Sequence, residues 1–310
     1  MNKDARIYVA GHSGLVGSAL MRQLTGYEQV ITRSFNELDL RCQTQTGDFF
    51  ASEKPEYVFL SAAKVGGVAA TMKQPAAFLM ENLQIQCNVI DSAFRHEVKK
   101  LLFIASAVVY PKHSEQPINE DALLTGALEP TNEGYALAKM TGLKLCMYYN
   151  RQYGTDYTTL VPCSMYGYND NFDLETSPFM PALIRKFYEA KKNNQDHVTI
   201  WGTGKPCREL LFADDFADAC MFIMQNNVGG GYFNVGAGSD NSIAEMAEMV
   251  KKIAGYEGAV VYDTSKPDGM MRRVLDSSKI RALGWQPKTS LEEGIAGTYR
   301  WYAQHKGQTT

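Results

Sequence analysis

The 310-residue chain has no excess of either charge, since 31 Lys and Arg face 34 Asp and Glu for a net charge of −3. That excludes the broad basic field that holds nucleic acid or an anionic membrane, so an anionic ligand must be held by local Lys and Arg. Long hydrophobic runs are also missing. The longest, Leu101 to Pro111, is broken by Ser106 and falls short of the roughly 20 residues a membrane helix needs. Cysteine is sparse: Cys42, Cys87, Cys146, Cys163, Cys207 and Cys220 are scattered without a C-x-x-C pair. They read as reduced, mostly buried thiols of a cytoplasmic protein, and no metal site is expected. There are no repeats, low-complexity segments or extended linkers, and no signal-peptide pattern precedes the strand expected from Arg6. A hydrophobic content of 45% with 21% charged residues is ordinary for a soluble globular protein of one large or two unequal domains.

The chain opens with an apolar strand, Arg6 to Ala10, followed at once by Gly11-His12-Ser13-Gly14-Leu15-Val16-Gly17 and a helical pattern from Ser18 to Leu24. Glycines at this spacing after a first strand allow a tight turn, close approach of backbone to a pyrophosphate and close packing of helix on strand. A dinucleotide site follows from that position. The second strand, Gln29 to Thr32, ends in Arg33-Ser34-Phe35-Asn36, where an NAD site usually carries an acid for the ribose 2′-hydroxyl. A cation stands there instead. Arg33, with Ser13 and Ser34, suits a 2′-phosphate and favours NADP(H), and Asp39 is placed to reach the adenine edge.

Further strands, Glu56 to Leu60, Leu101 to Ser106 and Tyr157 to Pro162, alternate with helical patterns such as Phe78 to Arg95. The expected fold is α/β, a Rossmann-type doubly wound parallel sheet with ligands at the strand C-termini and a smaller C-terminal α/β substrate lobe. Gly11, Ala63, Ser106 and Pro162 would lie at that edge. Residues 1–165 form the nucleotide-binding domain, with 208–240 returning to it, and 166–207 with 241–310 form the lobe. Ser242-x-x-Glu245 and Ser290-x-x-Glu293 are capping boxes for two C-terminal helices.

Chemistry enters with Tyr135-Ala136-Leu137-Ala138-Lys139. On a helix the i, i+4 spacing puts phenol and ammonium on one face, where the cation would favour the phenolate and lower the tyrosine pKa. Ser106, at the end of a preceding strand, would give a second hydrogen bond to the same substrate oxygen. Two donors on one oxygen suit a carbonyl about to become an alkoxide.

Gly11, Gly14, Gly17, Ser106, Tyr135 and Lys139 together resemble the extended short-chain dehydrogenase/reductase family. Over nearly the whole chain the resemblance extends to its GDP-L-fucose synthase subfamily. The stretches that carry it are Ala10-Gly11-His12, Ala62 to Gly67, Leu128-Glu129-Pro130-Thr131-Asn132-Glu133, Asn150 to Gly154 and Ser265-Lys266-Pro267-Asp268-Gly269. The resemblance implies hydride transfer from NADPH to C4 of a GDP-linked 4-keto-6-deoxy sugar. Tyr135 would protonate the C4 oxygen, Lys139 would bind the nicotinamide ribose and tune Tyr135, and Ser106 would orient the carbonyl. The cofactor contacts expected are Gly11, Gly14, Leu15, Val16, Gly17, Arg33, Asp39, Ala63, Ser106, Tyr135, Lys139, Pro162 and Ser164. The GDP portion points to Lys186, Trp201, Arg208 and Asp268, with Arg272 a further phosphate candidate. A homodimer is implied through the helices Phe78 to Arg95 and Asn132 to Tyr153, with no nucleic-acid or membrane partner.

The chain departs from that subfamily at two positions. Its members invert C3 and C5 with a Cys two residues after the catalytic Ser and a His just before the substrate-domain helix. Here Ser106-Ala107-Val108 and Ser177-Pro178-Phe179 put Val108 and Pro178 in those places, and neither side chain exchanges a proton. None of His12, His96, His113, His197 and His305 falls within 164–180. The expectation is therefore a 4-ketoreductase without epimerase activity, on a hexose or a heptose. The alternatives are a bifunctional synthase or single-centre epimerase-reductase with other acids, a non-catalytic NADPH sensor, and a nucleotide-sugar 4-epimerase that recycles NAD.

Overall fold

Near-continuous apolar runs are the mark of strands covered on both faces, and here they form the centre of a six-stranded sheet. The computed structural model describes residues 1–226, 228–266, 268 and 270–305. Pro267 and Gly269 of the Ser265–Gly269 stretch, Asn227 within 208–240, and positions 306–310 of the expected lobe lie outside the described residues. In chain order the elements are β1 (Arg6–Ala10), α1 (Leu15–Gln23), β2 (Gln29–Ile31), α2 (Gln43–Glu53), β3 (Tyr57–Leu60), α3 (Val68–Lys73), α4 (Pro75–Arg95), β4 (Lys100–Ile104), α5 (Glu133–Tyr153), β5 (Tyr157–Pro162) and β6 (Ser164–Tyr166). There follow α6 (Phe179–Lys192), β7 (His197–Trp201), β8 (Cys207–Arg208), β9 (Leu210–Phe212), α7 (Ala213–Gln225), β10 (Tyr232–Val235), β11 (Asn241–Ser242), α8 (Ile243–Ala254), β12 (Ala259–Asp263), α9 (Ser278–Ala282) and α10 (Leu291–His305).

The sheet runs β10-β5-β4-β3-β1-β2 and every pairing is parallel. The chain leaves β1 to one side for β2 and returns on the other for β3, so the order reverses between β1 and β3. Ligands of open α/β sheets bind outside the strand C-termini at such a point. Helices cover both faces, with α4 packed on α5 and α1 on α7. Pro75 at the first position starts α4, and Gly154 at φ 70° ends α5.

A second core gathers Met180, Leu183, Ile184 and Phe187 of α6, Met246, Ala247 and Val250 of α8, and Ile295 and Tyr302 of α10. Ser242 and Glu245 exchange both bonds of the capping box that opens α8, and Ser290 and Glu293 do the same before α10. Two expectations shift. The first helix opens at Leu15 rather than Ser18, with Gly14 extended as its cap, so Gly17 falls within the first turn. Leu210 and Phe212, grouped from the sequence with the nucleotide-binding domain, pack in the second core because β9 pairs with β6.

Candidate active site

Three glycines shape the end of β1 in three different ways. Gly11 has φ +82°, and a Cβ on it would lie 2.7 Å from the Ala62 backbone at the end of β3. A Cβ on Gly17 would collide with the Gly11 carbonyl, so this glycine lets α1 close down on the turn. Gly14 would meet only the Gly11 oxygen at 3.7 Å; its free side faces a cavity of about 760 Å³. The N-terminus of α1 opens onto that cavity, where backbone N–H groups and the helix dipole favour an anion. His12 lines it as well, and its buried Nδ1 has no partner in the protein.

Every residue named above for the cofactor lines this one cavity, from Gly11, Gly14, Leu15, Val16 and Gly17 through Arg33, Asp39 and Ala63 to Ser106, Tyr135, Lys139, Pro162 and Ser164. At one end Arg33 pairs with Glu53 and lies over the Phe49 ring. The Asp39 carboxylate is engaged by Arg41, a residue the sequence reading did not single out, which also pairs with Glu81 and covers Phe35. The loop after β3 is fixed by Asn82 of α4, whose side chain accepts from Lys64 N and donates to Lys64 O.

At the other end stand Ser106, Tyr135 and Lys139. Gly142 lets α5 lie against β4, since a Cβ there would be 2.6 Å from the Phe103 ring. That contact carries Tyr135 and Lys139 to the end of β4, where Ser106 begins a short 3-10 turn. Lys139 Nζ donates to Ile104 O at 2.8 Å and sits 6.0 Å from the Tyr135 ring centre. The charges behave differently from the sequence expectation. Burial raises the Tyr135 phenol above its ordinary value and pulls the Lys139 ammonium down to about 7. Desolvation outweighs the cation, because a phenolate and an ammonium both lose hydration here. Tyr135 consequently keeps its proton at neutral pH.

Val108 and Pro178 line the same cavity. Cys163 lines it too, with its thiol pushed well up by burial. One carboxyl went unnoticed in the sequence. Asp170 lines the cavity, accepts from Asn171 N, and has a buried Oδ2 without a partner. Burial pushes it up to about 7. Its position in the polar Tyr168 to Pro178 stretch gave no sign of burial.

The residues expected to hold the nucleotide divide. Lys186 and Trp201 line a second cavity of about 610 Å³ between α6 and β7. Lys186 Nζ donates to Thr199 O at 3.0 Å and burial lowers its pKa. Trp201 is 68% exposed, so its ring is a surface for packing rather than part of the core. Arg208 lies outside both cavities and donates to the carbonyls of Cys207 and Met270. Asp268 accepts from Thr203 N and Oγ1 and so holds the Gly202–Gly204 turn. Arg272 forks onto Asp240 at 2.6 and 3.0 Å, while the adjacent Arg273, not singled out from the sequence, points at Ala107 O.

A family model described as the NAD dependent epimerase/dehydratase family matches residues 7–236. GDP-L-fucose synthase 1 of Arabidopsis thaliana is 50% identical over 306 residues, covering 98% of this chain and 95% of that protein. GDP-L-fucose synthase of Escherichia coli (strain K12) is 45% identical over 312 residues, covering 97% of each. Among solved structures, MlghC, a GDP-mannoheptose C4 reductase from Campylobacter jejuni with NADP bound, is 40% identical with a TM-score of 0.90, covering 98% of this chain and 99% of that one.

Proposed function

The chain belongs to the NAD dependent epimerase/dehydratase family, and from that premise we propose that it reduces C4 of a GDP-4-keto-6-deoxy sugar, hexose or heptose, with NADPH and without inverting C3 or C5. One observation carries this reading. Val108 and Pro178, neither able to move a proton, line the same cavity as Ser106, Tyr135 and Lys139. Similarity to GDP-L-fucose synthases and to a GDP-mannoheptose C4 reductase supports a GDP-sugar substrate, and similarity to an NADP-bound structure supports the cofactor.

The residues fit that cofactor. The Gly14 side of the first turn leaves room for a pyrophosphate at the start of α1, and Arg33, which lines the same cavity, would be the cation for a 2′-phosphate. NADPH, when bound, supplies the hydride to C4. Tyr135, protonated at neutral pH, gives its proton to the C4 oxygen, so that C=O becomes CH–OH with the charges balanced. Ser106 donates a hydrogen bond to that oxygen as it gains charge, and Lys139 in its ammonium form stabilises the phenolate left on Tyr135. Lys186 and Trp201 hold the guanosine end. We also propose a homodimer through α4 and α5, supported by the exposed Met80, Leu137, Tyr148 and Tyr153 on those helices.

The test offers the purified chain NADPH with hexose and heptose GDP-ketosugars in D2O and determines product configuration by NMR. Reduction with retained C3 and C5 is expected; an inverted centre ends the reading. A single-centre epimerase-reductase is the second reading, favoured by Asp170, whose carboxyl titrates near neutrality at the cavity wall.

A further inference from the structure

Asn132 stands at the cap position before α5, where an asparagine side chain ordinarily accepts from the first N–H groups of the helix. Here it makes no such bond. Its Oδ1 is buried without a partner among the described residues, and the residue lines the main cavity at the start of the helix whose first turn holds Tyr135. Asp170 is a second case. Its Oδ1 accepts from Asn171 N at 2.8 Å, while Oδ2, buried at the wall of the same cavity, has no partner among the described residues. Burial pushes this carboxyl up to about 7, and in its protonated form it donates as well as accepts.

Hydrogen bonds between three segments hold these two residues in place. Thr71 Oγ1 of α3 donates to Thr131 O, beside Asn132, at 2.9 Å. Gly67 N, just ahead of α3, donates to Thr176 O at 3.2 Å, and Asn171 Nδ2, beside Asp170, donates to Thr176 Oγ1 at 2.9 Å. The wall is thus built before any ligand arrives, and a polar atom shut away from water is unfavourable unless something bonds it. An amide with a protonated carboxyl carries no net charge, which suits a hydroxyl rather than a phosphate. In a 4-keto-6-deoxy sugar only one neighbour of C4 bears a hydroxyl. That neighbour is C3, because C5 bears the ring oxygen and the deoxygenated C6.

We propose that Asn132 and Asp170 grip the hydroxyl on C3, so that the site selects ketosugars that keep this hydroxyl over 3-deoxy ones. The inference rests on the GDP-sugar reading and deepens it by naming what the sugar must carry. Asn132 lies one turn from Tyr135, so the group it meets stands next to the oxygen that Tyr135 protonates. Both are binding residues that set specificity, and in this role neither takes a proton from carbon. A site built to bond a hydroxyl rejects the analogue without it, because the buried polar atoms of the site are then left unpaired.

The experiment measures kcat/KM with NADPH for a GDP-4-keto-6-deoxy sugar and for its 3-deoxy counterpart. It compares the full chain with Asp170→Leu, Asp170→Asn and Asn132→Leu, and circular dichroism checks folding. The wild type should favour the 3-hydroxy sugar by about a hundredfold or more. Each leucine variant should bring that ratio below about tenfold, whereas Asp170→Asn, whose amide still donates and accepts, should keep most of it. A wild type that reduces neither sugar overturns the GDP-sugar reading and this inference with it. Reduction of both sugars at equal kcat/KM overturns this inference alone, as does an unchanged ratio in the folded leucine variants. So does a ratio in Asp170→Asn as low as that in Asp170→Leu. An unchanged ratio with a raised KM for NADPH assigns the pair to the nicotinamide amide and overturns the inference in the same way. Should the leucine variants fail to fold, the wild-type ratio decides.

Discussion

Lys139 Nζ lies 2.8 Å from the carbonyl oxygen of Ile104, a bond that fastens α5 to the end of β4 two residues before Ser106. The same burial that makes this bond firm draws the ammonium down to about 7, so one residue joins the geometry of the site to its pH response.

Replacing Lys139 with Met should abolish measurable reduction and stabilise the fold. Between about 7 and the ordinary 10.5 the unfolded chain binds the proton that the folded lysine has released, so stability rises with pH across that window. The penalty is full below about 7 and gone above 10.5. Urea denaturation of Lys139→Met should show a gain on the order of 1–4 kcal/mol at pH 6 that shrinks as pH rises. In the wild type, reduction should slow as pH passes upward through about 7, when the phenolate loses its cation.

Val108→Cys with Pro178→His should bring proton exchange into a cavity that lacks it at those two places. NMR of product formed in D2O should show deuterium at C3 or C5 for the double variant and none for the wild type. Deuterium in the wild-type product that disappears in Asp170→Asn would favour the single-centre reading.

Asp170→Asn should itself change stability with pH. The carboxyl titrates near 3.8 unfolded and about 7 folded, so the native state holds the extra proton between these values and stability falls as pH rises across them. The variant lacks that fall. It should match the wild type at pH 4 and exceed it at pH 8 by on the order of 2–4 kcal/mol, read from denaturant midpoints.

Arg33→Ala should raise the KM for NADPH about tenfold or more and leave that for NADH nearly unchanged, since only the 2′-phosphate is lost as a partner. Equal effects on the two cofactors would remove Arg33 from the discriminating site. Arg41, already paired with Asp39 and Glu81, would then be the cation to replace.

What the sequence determined by itself was everything that rests on local periodicity and spacing. The Arg6–Ala10 strand running into Gly11, the parallel sheet, both capping boxes and the shared face of Tyr135 and Lys139 needed no distant neighbour. The absence of a proton carrier at 108 and 178 was equally legible. Tertiary structure decided what depends on who stands opposite. The sequence pointed to Arg272 for phosphate and passed over its neighbour Arg273, but which side of the backbone each side chain takes is set by the fold. One therefore meets Asp240, the other Ala107 and Arg208. Asp170 and Lys139 gained their shifted pKa values from burial that segments far along the chain create, and desolvation leaves no trace in spacing.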